Sequence, residues 1–351
     1  MTRPTLEDVA RRAGVSRSLV SLVMRGASNV SEQRRTAVLA AAKDLGYRPN
    51  ANARNLAQKR TRTLGVVLND LHNPFFADIA DGAAAAAAEH GYHMLLGAAS
   101  RSVDAERDAL HTFMDLRAEG VVLVGTTLPS AEIADAARSV AIAVASRQVR
   151  QPDVDTVISD ERLGARLAVE HLVGLGHRKI AHIDGGDGAG ASTRRGAYSA
   201  AMKAFGLESE TKVVPGEFTD LAGARAVEQM LADGELPTAI FAANDLVAAG
   251  ALGSLEDAGL AIPADVSLVG YDNTALAAMH HLSLTSVHQP RLEMGRLAVE
   301  SLIERLEEGR ARPVRHVLTP RLVVRESSAA PPAGARRNSL SVSRAAPIGR
   351  A

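Results

Sequence analysis

Apolar residues recur at helical spacing through the first 62 positions. From residue 63 onward they gather into short runs with helical stretches between them. Leu6, Val9 and Ala10 make one inward stripe. Leu19, Val20 and Val23 make a second, and Val38, Leu39, Ala42 and Leu45 a third. Three short helices are therefore predicted near the N-terminus. Thr5 can cap the first, with Asp8 three residues on closing a capping box. Gly14 permits the sharp turn Ala13-Gly14-Val15, where a side chain would be strained. Val15 plugs the angle between the helices, and Ser16 caps the second. The third runs from Ser31 to Leu45 and is stopped by Gly46 and Pro49.

The strand-like runs of the body are residues 63–68, 93–97, 120–125, 140–145, 179–184, 211–214, 238–243 and 265–270. Helices are predicted between them, among them Pro74 to His90, Asp104 to Ala118 and Glu161 to Leu175. Short apolar strands alternating with helices build parallel sheets covered on both faces. The run is too long for one small sheet and predicts two consecutive α/β lobes.

Charge sharpens this division. The 351-residue chain is neutral overall, yet residues 1–62 hold 13 Lys/Arg against 4 Asp/Glu, a net +9. Residues 63–326 hold 23 against 36, a net −13, and the last 25 residues add four Arg and no acid. A basic head on an acidic body suits DNA binding confined to the head. There is no cysteine, which excludes disulfides, thiolate catalysis and thiolate-held metals. Glu7, Asp8, Arg11 and Arg12 interrupt any secretion signal, and no run of 18 apolar residues can span a membrane. A cytoplasmic protein is expected.

Two helices joined by a tight turn place the second in a DNA major groove. Arg17, Ser18 and Ser21 are its candidate contacts. Arg17 can read guanine, whereas serine discriminates weakly. After Pro49, Asn50 can cap a short helix over 51–58 that is too small to be stable alone. Leu56 is its one large apolar residue, set among Arg54, Lys59, Arg60 and Arg62. A lone leucine on a basic helix suits a wedge between base steps of the minor groove.

TLEDVARRAGVSRSLVS, GYRPNANARNLA and TLGVVLNDLHNPFFADIADG together resemble the lac-repressor family of bacterial transcription regulators, over about residues 3–326. The resemblance implies that 49–62 is a hinge helix ordered on operator DNA, with Leu56 prying open the central step. It implies a body of the periplasmic sugar-binding type, with a ligand cleft between crossing lobes. The family's second helix usually carries Thr-Val-Ser-Arg where this chain has Leu19-Val20-Ser21-Leu22. Losing arginine at Leu22 predicts an altered outer half-site. The predicted DNA-contacting set is Thr5, Ser16, Arg17, Ser18, Ser21, Leu22, Asn50, Arg54 and Leu56.

Ligands of open α/β sheets bind beyond the strand ends. Asp70, Phe75 and Phe76 follow the first strand. In a chain with six Phe and no Trp, two adjacent Phe beside a polar turn stand out, one to stack on a ring and one to pack inward. Arg194 offers a rigid fork of donors, and Asn244 and Asp272 suit adjacent hydroxyls. The resemblance adds Phe218 as an aromatic platform and Asp160 of the Asp160…Gly164 pattern. It places Arg147 after Ser146, where relatives often carry aspartate, and Ala197 where they usually have glycine. Asp245 is expected as a helix N-terminal carboxylate. The glycine-rich 186–192 is expected as a flexible loop at the cleft mouth, since it lacks the lysine of a phosphate-binding loop.

The chain thus reads as a small all-α helix-turn-helix domain (1–48), a hinge (49–62), and two α/β lobes (63–326). Lobe 1 takes about 63–160 and 290–318, lobe 2 about 161–289 and 319–326. A tail rich in Ala, Ser and Pro (327–351) is expected to be disordered. The expected function is a repressor of sugar or related uptake and catabolic genes, not an enzyme. Its expected partners are palindromic double-stranded operator DNA, a second copy in a homodimer, and a small-molecule effector (sugar, sugar phosphate, nucleoside or nucleobase), with no cofactor and no metal. The tail lacks leucine heptads, so no coiled-coil tetramer is expected. Inducer and corepressor actions both remain open.

Overall fold

The computed structural model describes residues 4–24, 27, 29–47 and 60–332. The predicted contacts Asn50, Arg54 and Leu56 lie outside these residues. The chain divides into two compact units, 1–62 and 63–351.

The head holds α1 (Leu6–Ala13), α2 (Arg17–Met24) and α3 (Glu32–Asp44). Thr5 and Asp8 form the capping box, and Gly14 at φ +64° makes the turn. Val9, Ala10, Val20, Val23, Val38, Ala41 and Ala42 are buried together, with Val15 packed against them. Leu39, expected in this stripe, is 50% exposed. Ala41 takes its place because 38, 41, 42 and 45 follow the i, i+3, i+4, i+7 spacing of one helix face, from which 39 is turned away.

The body contains two six-stranded sheets. The first has the order β11-β5-β4-β3-β1-β2, from β1 (Thr63–Leu68), β2 (His93–Ala98), β3 (Gly120–Val124), β4 (Ala141–Ala145), β5 (Val154–Ser159) and β11 (Arg315–Leu318). The second has the order β12-β10-β9-β8-β6-β7, from β6 (Ile180–Ile183), β7 (Lys212–Val214), β8 (Ala239–Ala242), β9 (Ser267–Asp272), β10 (Thr285–His288) and β12 (Arg321–Val323). All pairings are parallel except β10 with β12. The chain passes between sheets after β5, after β10 and between β11 and β12.

Helices cover the sheets: α4 (Pro74–Glu89), α5 (Val103–Asp115), α6 (Ser130–Ala136) and α11 (Arg291–Glu307) on the first; α7 (Glu161–Gly174), α8 (Ala191–Ala204), α9 (Asp220–Ala232) and α10 (Asp245–Asp257) on the second. In each lobe one helix pair touches backbone to backbone. A Cβ on Gly82 would lie 2.0 Å from Leu292 O, and one on Gly223 would lie 2.0 Å from Val247 O. Glycine is required at both crossings because any side chain would force the helices apart. No helix among the described residues is long and apolar enough to cross a membrane.

Four strands, β5, β10, β11 and β12, lie outside the predicted runs. The tail boundary at 327 also needs correcting. Ser327 Oγ donates to Leu268 O at 2.6 Å, and its carbonyl accepts from Leu268 N at 2.7 Å. Ala329 N donates to Ser267 Oγ at 3.0 Å, while His177 contacts Ala329 O at 2.8 Å. Small side chains let this strap seat on lobe 2, where its backbone groups are satisfied.

Candidate functional site

Parallel strands aim their C-terminal ends, and the N-termini of the following helices, into the space between the lobes. A cavity of about 540 Å³ lies there. It gathers seven of the nine predicted effector residues: Asp70, Phe75, Phe76, Arg194, Phe218, Asn244 and Asp272. Arg147 and Asp160 line instead a second cavity of about 480 Å³. The two cavities share Thr127, Ser146, Asp187, Gly188 and Ala189.

The two adjacent Phe take different roles. Phe75 is buried in the lobe 1 core, and Phe76 packs edge-on against it at 5.2 Å between ring centroids. Phe76 lies against Gly125, where a Cβ would come within 2.4 Å of the ring. On the opposite wall Phe218 lies over Gly185 and Gly188, with equally close approaches of 2.4 and 2.5 Å. The glycine-rich loop is thus the bed of an aromatic platform. Side chains there would displace the ring.

Arg194 is buried at the base of lobe 2. Its Nε and Nη2 donate to Glu161 at 2.9 and 3.0 Å, and Nη1 donates to Ala243 O. Its guanidinium lies over Tyr271. Burial acts to lower the Arg194 pKa but is outweighed by Glu161, Tyr271 and Asp272, which raise it above the ordinary value. Asp272 is buried at φ +94° and accepts from Gln289 Nε2 at 2.7 Å. Burial pushes its carboxyl well above the usual carboxylate range. Arg194 opposes this shift and Asp245 adds to it. Asp245 accepts from Thr274 N, Thr274 Oγ1 and Ser286 Oγ at 2.6, 2.9 and 2.6 Å, so it fixes the loop after β9. Asn244 caps α10 through its oxygen, while its buried Nδ2 has no partner among the described residues. An effector acceptor would satisfy it.

On lobe 1, Asp70 accepts from His72 N at 2.8 Å. Asp160 caps α7, accepting from Arg162 N and Leu163 N at 3.1 and 3.0 Å. Gly164 follows because a Cβ there would lie 2.1 Å from the Tyr271 hydroxyl. Arg147 donates to Leu128 O at 2.5 Å and Thr126 O at 3.2 Å. Sequence reasoning missed Glu106, Glu161 and Gln289. Buried Glu106 accepts from Asn69 Nδ2, Thr126 Oγ1, Thr127 N and Leu128 N, and so shapes the loop after β3. Glu161 and Gln289 each follow a strand at a lobe crossing. Neither strand carries a predicted apolar run, so the sequence marked Glu161 only by its place beside Asp160 and did not mark Gln289. Arg101 of lobe 1 and Glu217 of lobe 2 form an ion pair across the first cavity.

In the head, Arg17 and Ser18 are exposed, and Ser21 and Leu22 are half-buried on α2. Leu22 packs against the head core. Ser16 Oγ accepts from Leu19 N at 3.3 Å and Thr5 is held in its capping box, so both begin helices. Among the described residues no group of three or more His, Cys, Asp or Glu could hold a metal ion.

A helix-turn-helix head and a two-lobed α/β body with a lined cleft define a DNA-binding regulator with an effector domain of periplasmic-binding type. Residues 5–50 match bacterial regulatory proteins of the lacI family, and 169–328 match a periplasmic binding protein-like domain. The chain is 35% identical to the ribose operon repressor of Escherichia coli K12 over 328 residues, 92% of this chain and 99% of that one. It is 33% identical to catabolite control protein A of Priestia megaterium, covering 85% and 91%. The lac repressor dimer bound to operator and the anti-inducer ONPF superposes with a TM-score of 0.84 at 29% identity, covering 94% of this chain and 100% of that one. The chain belongs to the lacI family of bacterial transcription regulators.

Proposed function

We propose that this regulator represses genes for uptake or breakdown of a sugar-like metabolite, and that the metabolite, bound between the lobes, controls operator affinity. The observation that carries this reading is the first cavity. Two glycine-backed aromatic rings, Phe76 of lobe 1 and Phe218 of lobe 2, line it together with Asn244, Asp272 and Arg194. Apolar faces flanking a few convergent polar groups suit a polyhydroxylated ring. The unpartnered Asn244 Nδ2 adds a donor awaiting an acceptor.

In this reading Arg17, Ser18 and Ser21 of α2 face the operator, with Thr5, Ser16 and Leu22 setting the helix pose. Asn50, Arg54 and Leu56 act in the hinge. Two copies, each supplying one head, match a palindromic operator. The effector shifts a two-state equilibrium by binding one lobe arrangement better than the other.

The test selects genomic fragments on the purified protein at about 0.15 M salt, then challenges the complex with sugars and nucleosides. A palindrome released or tightened by one compound supports the reading. An enriched palindrome blind to every compound favours a regulator whose cleft binds no ligand. The departures at Ser146 and Ala197 support that alternative.

A further inference from the structure

The second cavity differs in chemistry from the first. It contains no aromatic side chain and is walled by Arg147, Gln148, Ser159, Arg162, Ser192 and Arg315, among others. Resting on the reading of the first cavity as the effector site, we propose that the second is an anion subsite, and that the effector is a sugar-like ring carrying a phosphate ester or carboxylate that reaches into it.

Three observations converge. First, α8 begins at this cavity with no side-chain cap on Gly190. The N–H groups of Ser192 and Thr193 find no acceptor among the described residues, so the helix presents free donors and its positive end. Second, Ser159 is 2% exposed and lines the cavity, and its hydroxyl has no partner among the described residues. A buried unsatisfied hydroxyl costs free energy that a bound acceptor recovers.

Third, the acids of this cavity are largely occupied, and Arg147 is held by Thr126 O and Leu128 O, while two arginines, Arg162 and Arg315, are not paired with an acid. Asp160 caps α7, and Glu161 pairs with Arg194. Arg162 makes no ion pair among the described residues, and Arg315 contacts only the neutral Gln148, at 3.2 Å. Asp187, on the wall shared with the first cavity, is the remaining acid. A ring stacks on aromatic faces. A compact anion needs N–H donors and guanidinium groups. The two cavities divide these tasks and share a wall of five residues, Thr127, Ser146, Asp187, Gly188 and Ala189.

The experiment uses the full chain. Thermal unfolding is followed with inorganic phosphate against chloride at equal ionic strength, for the wild type and for Arg162→Gln combined with Arg315→Gln. Both positions are exposed, so the double variant should fold. Expected is a saturable rise in Tm with phosphate in the wild type, with affinity at least about tenfold weaker in the variant. No phosphate-specific rise overturns the proposal. A rise unchanged in the variant overturns it too, since phosphate would then sit elsewhere, as on the basic head. Binding of glucose 6-phosphate and glucuronate against glucose separates the two anion sources. Preference for either anionic form, lost in the variant, supports the subsite, and equal or tighter binding of glucose in the wild type overturns it. If the effector reading itself fails, operator binding ignores every compound even while phosphate binds. If only the subsite fails, a response to neutral sugars remains.

Discussion

The guanidinium carbon of Arg194 lies 3.5 Å from the centroid of the Tyr271 ring, while two of its nitrogens hold Glu161. Stacking and bidentate pairing on one planar group leave Arg194 a single pose. Glu161 opens α7 at a lobe crossing and Tyr271 lies on β9, so this arginine ties the crossing to the floor of the cleft.

Arg194→Ala is therefore expected to do two things. Breaking a buried pair leaves Glu161 without its partner and destabilises the body by about 3–5 kcal/mol. Effector control of operator binding is also lost, while sequence-specific binding without effector survives at temperatures where the variant is folded. Arg194→Lys keeps the charge but not the fork and should fall between. Thermal unfolding and effector titration of operator release measure both. A variant with wild-type stability and response would sink the assignment.

Glu106 offers a cleaner test of positioning. All four of its partners are donors. In Glu106→Gln an amide N–H₂ would face them, leaving groups unpaired at a cost of about 1–3 kcal/mol. Asn69 and Thr127 line the first cavity, so effector affinity should weaken although Glu106 itself lies outside it. Unchanged calorimetric affinity in a folded variant would show that the loop holds its shape without the carboxylate.

The fold's frame was legible because strong apolar runs such as 63–68 and 120–125 become central strands, buried almost throughout. Strands β10, β11 and β12 are three or four residues long. Their pairing energy comes from partners remote in sequence, such as β5 for β11, so no local pattern marks them. β5 itself carries buried Asp155 and Thr156. Arg305 and Arg310 neutralise Asp155 from about 150 residues away. The site was legible in its residue types but not in its pairings. Sequence offers many arginines and carboxylates without saying that Arg194 meets Glu161. It did not distinguish the cavity holding Phe76 from the one holding Arg147 either.

Acid should weaken lobe 2 through His182. This side chain is buried between Tyr198 and Phe241, and burial pushes its pKa down to about 4. The unfolded imidazole titrates near 6.5. Between these values the unfolded chain binds a proton that the fold refuses, so stability falls as pH drops from about 6.5 toward 4, by up to about 3 kcal/mol for this group. His182→Phe should flatten that part of the Tm–pH curve. Parallel curves for variant and wild type would place the acid sensitivity in other groups.

On the head, Arg17 is exposed on α2 while Leu22 leans on the core. Arg17→Ala should cost about 1–3 kcal/mol on the selected operator and relax preference at one base position per half-site. Anisotropy titrations on a set of single-base operator variants read this. Uniform weakening across all of them would instead assign Arg17 to the phosphate backbone.

The Phe75–Phe76 pair predicts two opposite phenotypes from neighbouring residues. Phe75 is 4% exposed and packs with Ile79 and the sheet, so Phe75→Ala should destabilise lobe 1 by about 3–5 kcal/mol through lost burial and a cavity. Phe76 keeps one face toward the cleft and rests on Gly125. Phe76→Ala should lower Tm less and weaken effector binding more, since a stacking face is removed from the ligand. Phe218→Ala on the facing wall should behave like Phe76→Ala. Thermal unfolding sorts the first effect and effector-dependent operator release the second. If Phe75→Ala and Phe76→Ala lost stability equally and kept equal effector affinity, the ring at 76 would be core rather than platform, and the cleft would bind its effector through polar groups alone.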